Sequence, residues 1–328
     1  MTAARFSRTN AVRRGAIIGF GAVAANGHWP AYAQSTEAQI VAVVDRTEER
    51  RQAARELIPG VETFRTMDEL GGVDFVDICT PPAFHGDPMR DALRRGWDVL
   101  CEKPLLLDAR ELEQARSLAR QAGRAVIPVH NWKYAPIIRR ATEVLHSGAI
   151  GELRELQIET LRIEDCAAVD PEHPNWRRDL SIAGGGILMD HGWHAIYLAR
   201  HWFGEDPVES EAELHRAESG IEDEATLTLQ FRKGRARIFQ TWRADKRRNT
   251  MRLSGERGEI AIDDDRLRIG DEEIRFESAL SSGSHHADWF AAMLPDVMAG
   301  FGSPEKARAS FDEAALCLSV IRSAYEIA

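Results

Sequence analysis

Over the first 130 positions apolar residues gather in short runs. Gly15-Ala16-Ile17-Ile18-Gly19, Ile40-Val41-Ala42-Val43-Val44, Phe75-Val76-Asp77-Ile78-Cys79-Thr80, Asp98 to Cys101 and Ala125 to Val129 are each four to six residues long. Such runs suit strands buried on both faces rather than helices. Between them, Thr47 to Leu57, Pro88 to Arg95 and Ala109 to Ala122 carry apolar residues at helical spacing. Strands alternating with amphipathic helices predict a doubly wound parallel sheet, because parallel neighbours need crossover connections.

From about residue 151 the rhythm changes to longer alternating segments: Glu152 to Ile163, Glu209 to Ala217, Ala225 to Arg232, Ala236 to Trp242 and Met251 to Ile262. Strict alternation predicts half-buried strands of a large, open, mostly antiparallel sheet, with Phe231-Arg232-Lys233-Gly234-Arg235 as a hairpin turn. Ala287 to Met298 and Ser303 to Ile327 read as helices, punctuated by Pro295 and Pro304. The expected class is therefore α/β, with an extension over 1–12, a Rossmann domain over 13–132 and an α+β substrate and assembly domain over 133–328. An open sheet face suits a homodimer or homotetramer.

Composition narrows the function. The chain has 328 residues, enough for two cores, and 42 basic against 52 acidic side chains give a net charge of −10. That balance repels nucleic acid. Cys79, Cys101, Cys166 and Cys317 lack any CxxC spacing and read as reduced thiols rather than a disulfide framework or zinc cage.

The N-terminus supports two readings. Arg13-Arg14, the apolar run Ala16 to Ala25 and Ala31-Tyr32-Ala33 imitate an export signal. The same residues form a strand followed by Gly19-Phe20-Gly21-Ala22-Val23-Ala24, a G-x-G-x-x-A loop, with Asp45 ending the next strand 21 residues later. That is dinucleotide-fold spacing, and cleavage after Ala33 would remove the strand that residues 40–45 need. A cytoplasmic enzyme is expected. The run is also too short for a bilayer and is broken by Asn26, His28 and Pro30. Asp45 suits a ribose and favours NAD, while Arg46 beside it leaves NADP open.

Two further segments carry candidate chemistry. Cys101-Glu102-Lys103-Pro104 lies at a strand's carboxyl end, where open α/β sheets bind ligands. Gly184-Gly185-Gly186-Ile187-Leu188-Met189-Asp190-His191-Gly192-Trp193-His194 places Asp190 and His194 at i and i+4, on one face if helical. A carboxylate beside an imidazole is an acid/base pair. Asp190, His191 and His194 also form a compact set of potential metal ligands, but without a standard spacing or clear further ligand, so no metal is expected.

Taken in order, Gly19-Phe20-Gly21, Thr80-Pro81-Pro82-Ala83-Phe84-His85, Glu102-Lys103-Pro104, Trp176-Arg177 and the glycine triplet through Asp190 and His194 resemble the Gfo/Idh/MocA family of nicotinamide-dependent oxidoreductases over nearly the whole chain. The resemblance implies a catalytic Lys103, with Asp190 and His194 as the substrate-side pair. It implies a cofactor site of Gly19, Phe20, Gly21, Ala22, Val23, Ala24, Asp45, Arg46, Thr80, Pro81, His85, Glu102 and Lys103. Lys133, Tyr134, Trp176, Arg177, His191, His285 and His286 are the candidate substrate contacts, since polyols call for donors beside aromatic surface. Lys133-Tyr134-Ala135-Pro136 replaces the family's more usual Arg-aromatic-x-Pro, Tyr197 stands where many members carry Asp, and His191 where the residue is often apolar.

The implied reaction is hydride transfer between a secondary alcohol of a sugar, cyclitol or related polyol and a nicotinamide. His194 is expected to take the hydroxyl proton, Lys103 to offset charge on oxygen, and Asp190 to hold His194. A non-catalytic NAD(P) sensor and an NAD-dependent glycosidase share the fold and are the alternatives. The small polyhydroxylated substrate is the expected partner, with neither nucleic acid nor membrane.

Overall fold

The computed structural model describes residues 12–164, 175–218, 220–283 and 285–327. The extension expected over 1–12 lies outside these residues except for Val12, and Cys166 lies outside them too.

Six parallel strands form the first sheet: β1 (Arg13–Ile18), β2 (Ala38–Val44), β3 (Glu62–Phe64), β4 (Phe75–Ile78), β5 (Asp98–Cys101) and β6 (Val126–Pro128), in the order β3-β2-β1-β4-β5-β6. This is the doubly wound order that opens a crevice above β1 and β4. β1 is central, pairing with β2 on one side and β4 on the other. The residues that imitate an export signal are thus the middle of a core, with Ala16 and Ile17 fully buried. β3 was not anticipated. Cys79, Cys101 and Cys317 are buried thiols.

The second sheet has eight strands: β7 (Leu153–Leu161), β8 (Glu209–Arg216), β9 (Glu222–Gln230), β10 (Arg235–Thr241), β11 (Arg248–Gly255), β12 (Glu259–Asp263), β13 (Arg266–Ile269) and β14 (Glu272–Arg275). Their order is β14-β13-β12-β11-β7-β10-β9-β8. The turn expected at 231–235 joins β9 to β10, Phe231 N–H donating to the Gly234 carbonyl at 2.8 Å. The structure corrects two details. The segment Met251 to Ile262 is a hairpin of β11 and β12 rather than one strand, closed where Gly255 N–H meets the Gly258 carbonyl at 2.9 Å. β7 and β10 run parallel. Along β7, Leu156, Ile158 and Thr160 are buried and Arg154, Gln157 and Glu159 are exposed, so the open face is polar.

The helix Ala287–Phe301 runs straight through Pro295, which therefore does not punctuate it. Phe290, Met293, Leu294, Val297 and Phe301 pack with Ile17, Phe20, Phe75 and Leu100 against the first sheet. The 24-residue helix Pro304–Ile327 follows. No helix among the described residues is long and apolar enough to cross a membrane.

Candidate active site

Chain reversal after β1 requires Gly19, whose φ of +86° is open to glycine alone without strain. A Cβ there would also press on Thr80. Backbone beyond it winds into a π-turn, Ala24–His28, followed by Trp29–Tyr32 in α conformation. Gly21, Ala22 and Val23 line a cleft; Phe20 and Ala24 point away into the core. A Cβ on Gly21 would meet only the Arg50 guanidinium at 4.0 Å, so the loop leaves room for a pyrophosphate against free N–H groups.

An adjoining pocket is lined by Gly19, Asp45, Arg46, Thr80 and Pro81. Asp45 Oδ2 accepts from Phe20 N–H at 2.8 Å, and Oδ1 accepts from Thr47 N–H and hydroxyl at 2.9 and 3.0 Å. The carboxylate is therefore held in one orientation. Arg46 sits over the Phe84 ring at 5.7 Å, and Arg50 and Arg65 line the same pocket. Asp45→Ala is expected to raise the Kd for NAD by roughly 10-fold, measured by fluorescence titration.

Lys103, Asp190 and His194 meet in the main cleft, one from the first sheet and two from the second half of the chain. Lys103 Nζ donates to the Asp190 carbonyl and to its Oδ1, both at 2.7 Å. Arg177 faces the same carboxylate at 3.5 Å, and His191 Nε2 lies 3.8 Å from it. Burial alone would raise the Asp190 carboxyl, but Lys103 and Arg177 outweigh it and hold the group well below its ordinary range.

Asp190 does not hold His194. Leu188–Gly192 is a π-turn, and its wider pitch breaks the i, i+4 alignment of an α-helix. The partner of His194 is Tyr197, whose hydroxyl lies 2.9 Å from Nδ1 and also accepts the Trp132 N–H at 3.2 Å. Trp132 stacks on the imidazole with centroids 5.0 Å apart. Burial first, then Lys103 and His191, push the His194 pKa well below 6.5, so the ring is neutral at pH 7.

Gly186 lets this segment approach β9: a Cβ would overlap the Glu222 carbonyl oxygen. Glu222 Oε1 accepts from Gly186 N–H at 2.7 Å, Leu188 N–H at 3.2 Å and the Tyr325 hydroxyl at 2.7 Å.

Beneath Lys103 lies a network whose role the sequence did not disclose. His28 Nδ1 donates to Asp77 Oδ2 at 2.8 Å and Nε2 to Glu102 Oε1 at 3.0 Å, while Glu102 Oε2 accepts the Lys103 N–H at 3.0 Å. Burial opposes a charge on His28, but Asp77 and Cys79 prevail and its pKa lies well above 6.5. Phe290 stacks on the ring at 3.9 Å. Among the described residues His28, Asp77 and Cys79 are the one cluster with metal-ligand proximity, and their atoms are already hydrogen-bonded to one another. The rings of His191 and His194 stand 6.3 Å apart.

Trp176, Arg177, His191, His285 and His286 all line the cleft, as do Glu102 and Lys103. Besides Phe20 and Ala24, three expected residues line neither the cleft nor the adjoining pocket. Lys133 Nζ donates to both oxygens of Glu313 at 2.6 Å, and the Tyr134 hydroxyl donates to Asp296 at 2.9 Å. His85 is fully buried between the carbonyls of Thr80, at 2.7 Å, and Pro104, at 3.0 Å, and clamps two cleft loops together. Arg162, Trp242 and Arg247 line the cleft without having been anticipated.

Comparison with known proteins decides what this arrangement is. The profile described as an oxidoreductase family with an NAD-binding Rossmann fold matches residues 13–130, and that of the GFO/IDH/MocA C-terminal domain matches residues 138–261. The chain belongs to the Gfo/Idh/MocA family. It is an NAD(P)-dependent oxidoreductase with an NAD-binding Rossmann domain. Inositol 2-dehydrogenase of Rhizobium meliloti is 27% identical over 255 residues, covering 73% of this chain and 72% of that protein. A putative myo-inositol dehydrogenase structure from Sinorhizobium meliloti has a TM-score of 0.80 at 22% identity, covering 97% of each chain. The NAD complex of GenD2, from gentamicin A biosynthesis, has a TM-score of 0.81 at 21% identity, covering all of this chain and 97% of that one. The last two likenesses concern the fold.

Proposed function

We propose that the chain transfers a hydride between a secondary alcohol of a sugar, cyclitol or related polyol and NAD, with Lys103, Asp190 and His194 as the catalytic group. The observation that carries this reading is the Lys103 to Asp190 contact at 2.7 Å, which joins the cofactor half of the cleft to the half holding His194. A bound nicotinamide supplies the hydride acceptor for oxidation and the donor for reduction.

The protein's own groups do the rest. Two of the three Lys103 N–H bonds are committed to Asp190, leaving one for the oxygen on the reacting carbon. The ammonium offsets negative charge that builds there. His194 takes the hydroxyl proton at Nε2, the ring nitrogen not engaged by Tyr197. The accepting tautomer carries its proton on Nδ1 and donates it to the Tyr197 oxygen, which steadies the imidazolium that forms. Trp132 and Tyr197 exclude water from that side of the ring. Asp190 keeps Lys103 aimed.

Tyr197→Phe keeps the ring packing and removes that oxygen. Its kcat is expected to fall roughly 2- to 10-fold, the worth of one hydrogen bond, with the acid limb of the pH profile displaced. A steady-state pH series reads both. The function itself is tested with a panel of inositols, aldoses and sugar acids offered with NAD and with NADP, followed by nicotinamide absorbance. Net NADH from a polyol is the expected result. Tight NAD binding with no reduction by any member, or release of an aglycone without net NADH, overturns the reading.

A further inference from the structure

His28 follows β1, Asp77 lies on β4 and Glu102 follows β5, so one imidazole ties together three neighbouring strands of the first sheet. The ring is 2% exposed, and both of its nitrogens face carboxylate oxygens, at 2.8 and 3.0 Å. Both therefore donate, as only an imidazolium can. Asp77, fully buried, also accepts the Tyr32 hydroxyl at 3.0 Å and the Cys79 thiol at 3.6 Å. Phe290 closes over the imidazole, its ring inclined by 17°. An apolar side chain of the same size would fill this space at lower cost in desolvation, so the charges point to a geometric task.

That task ends at Lys103. Glu102 gives Oε1 to His28 and Oε2 to the Lys103 N–H at 3.0 Å, while its own N–H donates to the Ile78 carbonyl at 2.9 Å. Lys103 is thus held at both ends, its backbone through Glu102 to His28 and its ammonium by Asp190 at 2.7 Å. Without the His28 donor, the Glu102 carboxylate would be free to turn into the cleft that it lines, and the Lys103 N–H would lose its acceptor. Displacing a reacting group by about 1 Å can lower a rate about 100-fold.

We propose that His28 and Glu102 are positioning residues for Lys103: the imidazole fixes the Glu102 carboxylate, and the carboxylate fixes the backbone from which the ammonium reaches the substrate oxygen. The proposal rests on the dehydrogenase reading for the chemistry that Lys103 performs. It assigns neither residue a proton to transfer.

The test is His28→Gln, which removes the cation and one of the two side-chain nitrogens. On the polyol found by the panel, kcat should fall about 10- to 100-fold while the Kd for NAD stays within about threefold. In a Lys103→Met background the same substitution should lower kcat by less than about twofold, because a residue that acts through the ammonium has nothing left to position. A merely structural role would multiply the two losses. Amide hydrogen exchange reads the contact without turnover: exchange at Lys103 should quicken about tenfold in His28→Gln while the amides of β1 and β4 keep their rates. Should His28→Gln fail to melt cooperatively, Glu102→Gln, which leaves His28 paired with Asp77, is read in the same way. Losses that multiply in the double variant, or unchanged exchange at Lys103, overturn the proposal and leave the dehydrogenase standing. Absence of NADH from every polyol would sink the dehydrogenase reading instead, and quickened exchange at Lys103 would still uphold the positioning.

Discussion

Replacing Lys103 with methionine is expected to lower kcat by about 100- to 10,000-fold while the Kd for NAD stays within a few-fold. Methionine keeps most of the aliphatic stem and removes only the ammonium. Asp190 is not stranded by the change, because Arg177 remains 3.5 Å and His191 3.8 Å from its carboxylate. The loss therefore reports charge stabilisation at the reacting oxygen rather than collapse of the cleft. Steady-state rates on the substrate found by the panel, beside a nucleotide titration, separate the two. A fall of less than about tenfold would remove the ammonium from the chemistry.

Glu313→Gln is expected to lower stability by about 3–5 kcal/mol, a fall in Tm of roughly 10 °C. Glu313 is 5% exposed on the helix Pro304–Ile327 and accepts from His130 Nδ1 at 2.5 Å and from Lys133 at 2.6 Å. Trp193 Nε1–H donates to His130 Nε2 at 2.9 Å, so that nitrogen is unprotonated and the imidazole is neutral. Burial would raise the Glu313 carboxyl, but its bonds to His130 and Lys133 bring it down to about 2. A depressed carboxylate stabilises the fold above its ordinary pKa of about 4.5, and that stability drains away as pH falls toward 2. Wild type should thus lose Tm more steeply than the variant across that window. Adding Lys133→Met to Glu313→Gln should restore part of the loss, since removing both members spares the fold an unpaired charge. Melting curves that leave the double variant below the single one would refute the pairing.

Much of this was legible in the residues, and what was not has identifiable causes. Five of the six strands of the first sheet stood out as apolar runs. β3 did not, because Glu62-Thr63-Phe64 is a three-residue edge strand that pairs only with β2 and needs no such run. Alternation located β7 and β10 but says nothing about direction, since the period is two in parallel and antiparallel pairs alike. Lys103, Asp190 and His194 share one cleft as the motifs imply, yet the assumed Asp190 to His194 contact presumed α-helical pitch where a π-turn intervenes. Lys133 and Tyr134 looked like substrate donors because their partners, Glu313 and Asp296, lie 180 and 162 positions further on. Arg162 and Arg247 line the cleft from beyond the ends of β7 and β11, a meeting that rests on sheet register rather than on any motif.

The helix Ala287–Phe301 belongs by position to the second half of the chain but seals the core of the first. Neither half is then a self-sufficient folding unit. Severing the chain just ahead of that helix would strip cover from Ile17, Phe75 and Leu100, so heat should melt both halves in one cooperative step rather than in sequence. The same latch keeps Phe290 stacked on His28, so the floor of the nucleotide crevice is finished only after residue 290 has been synthesised.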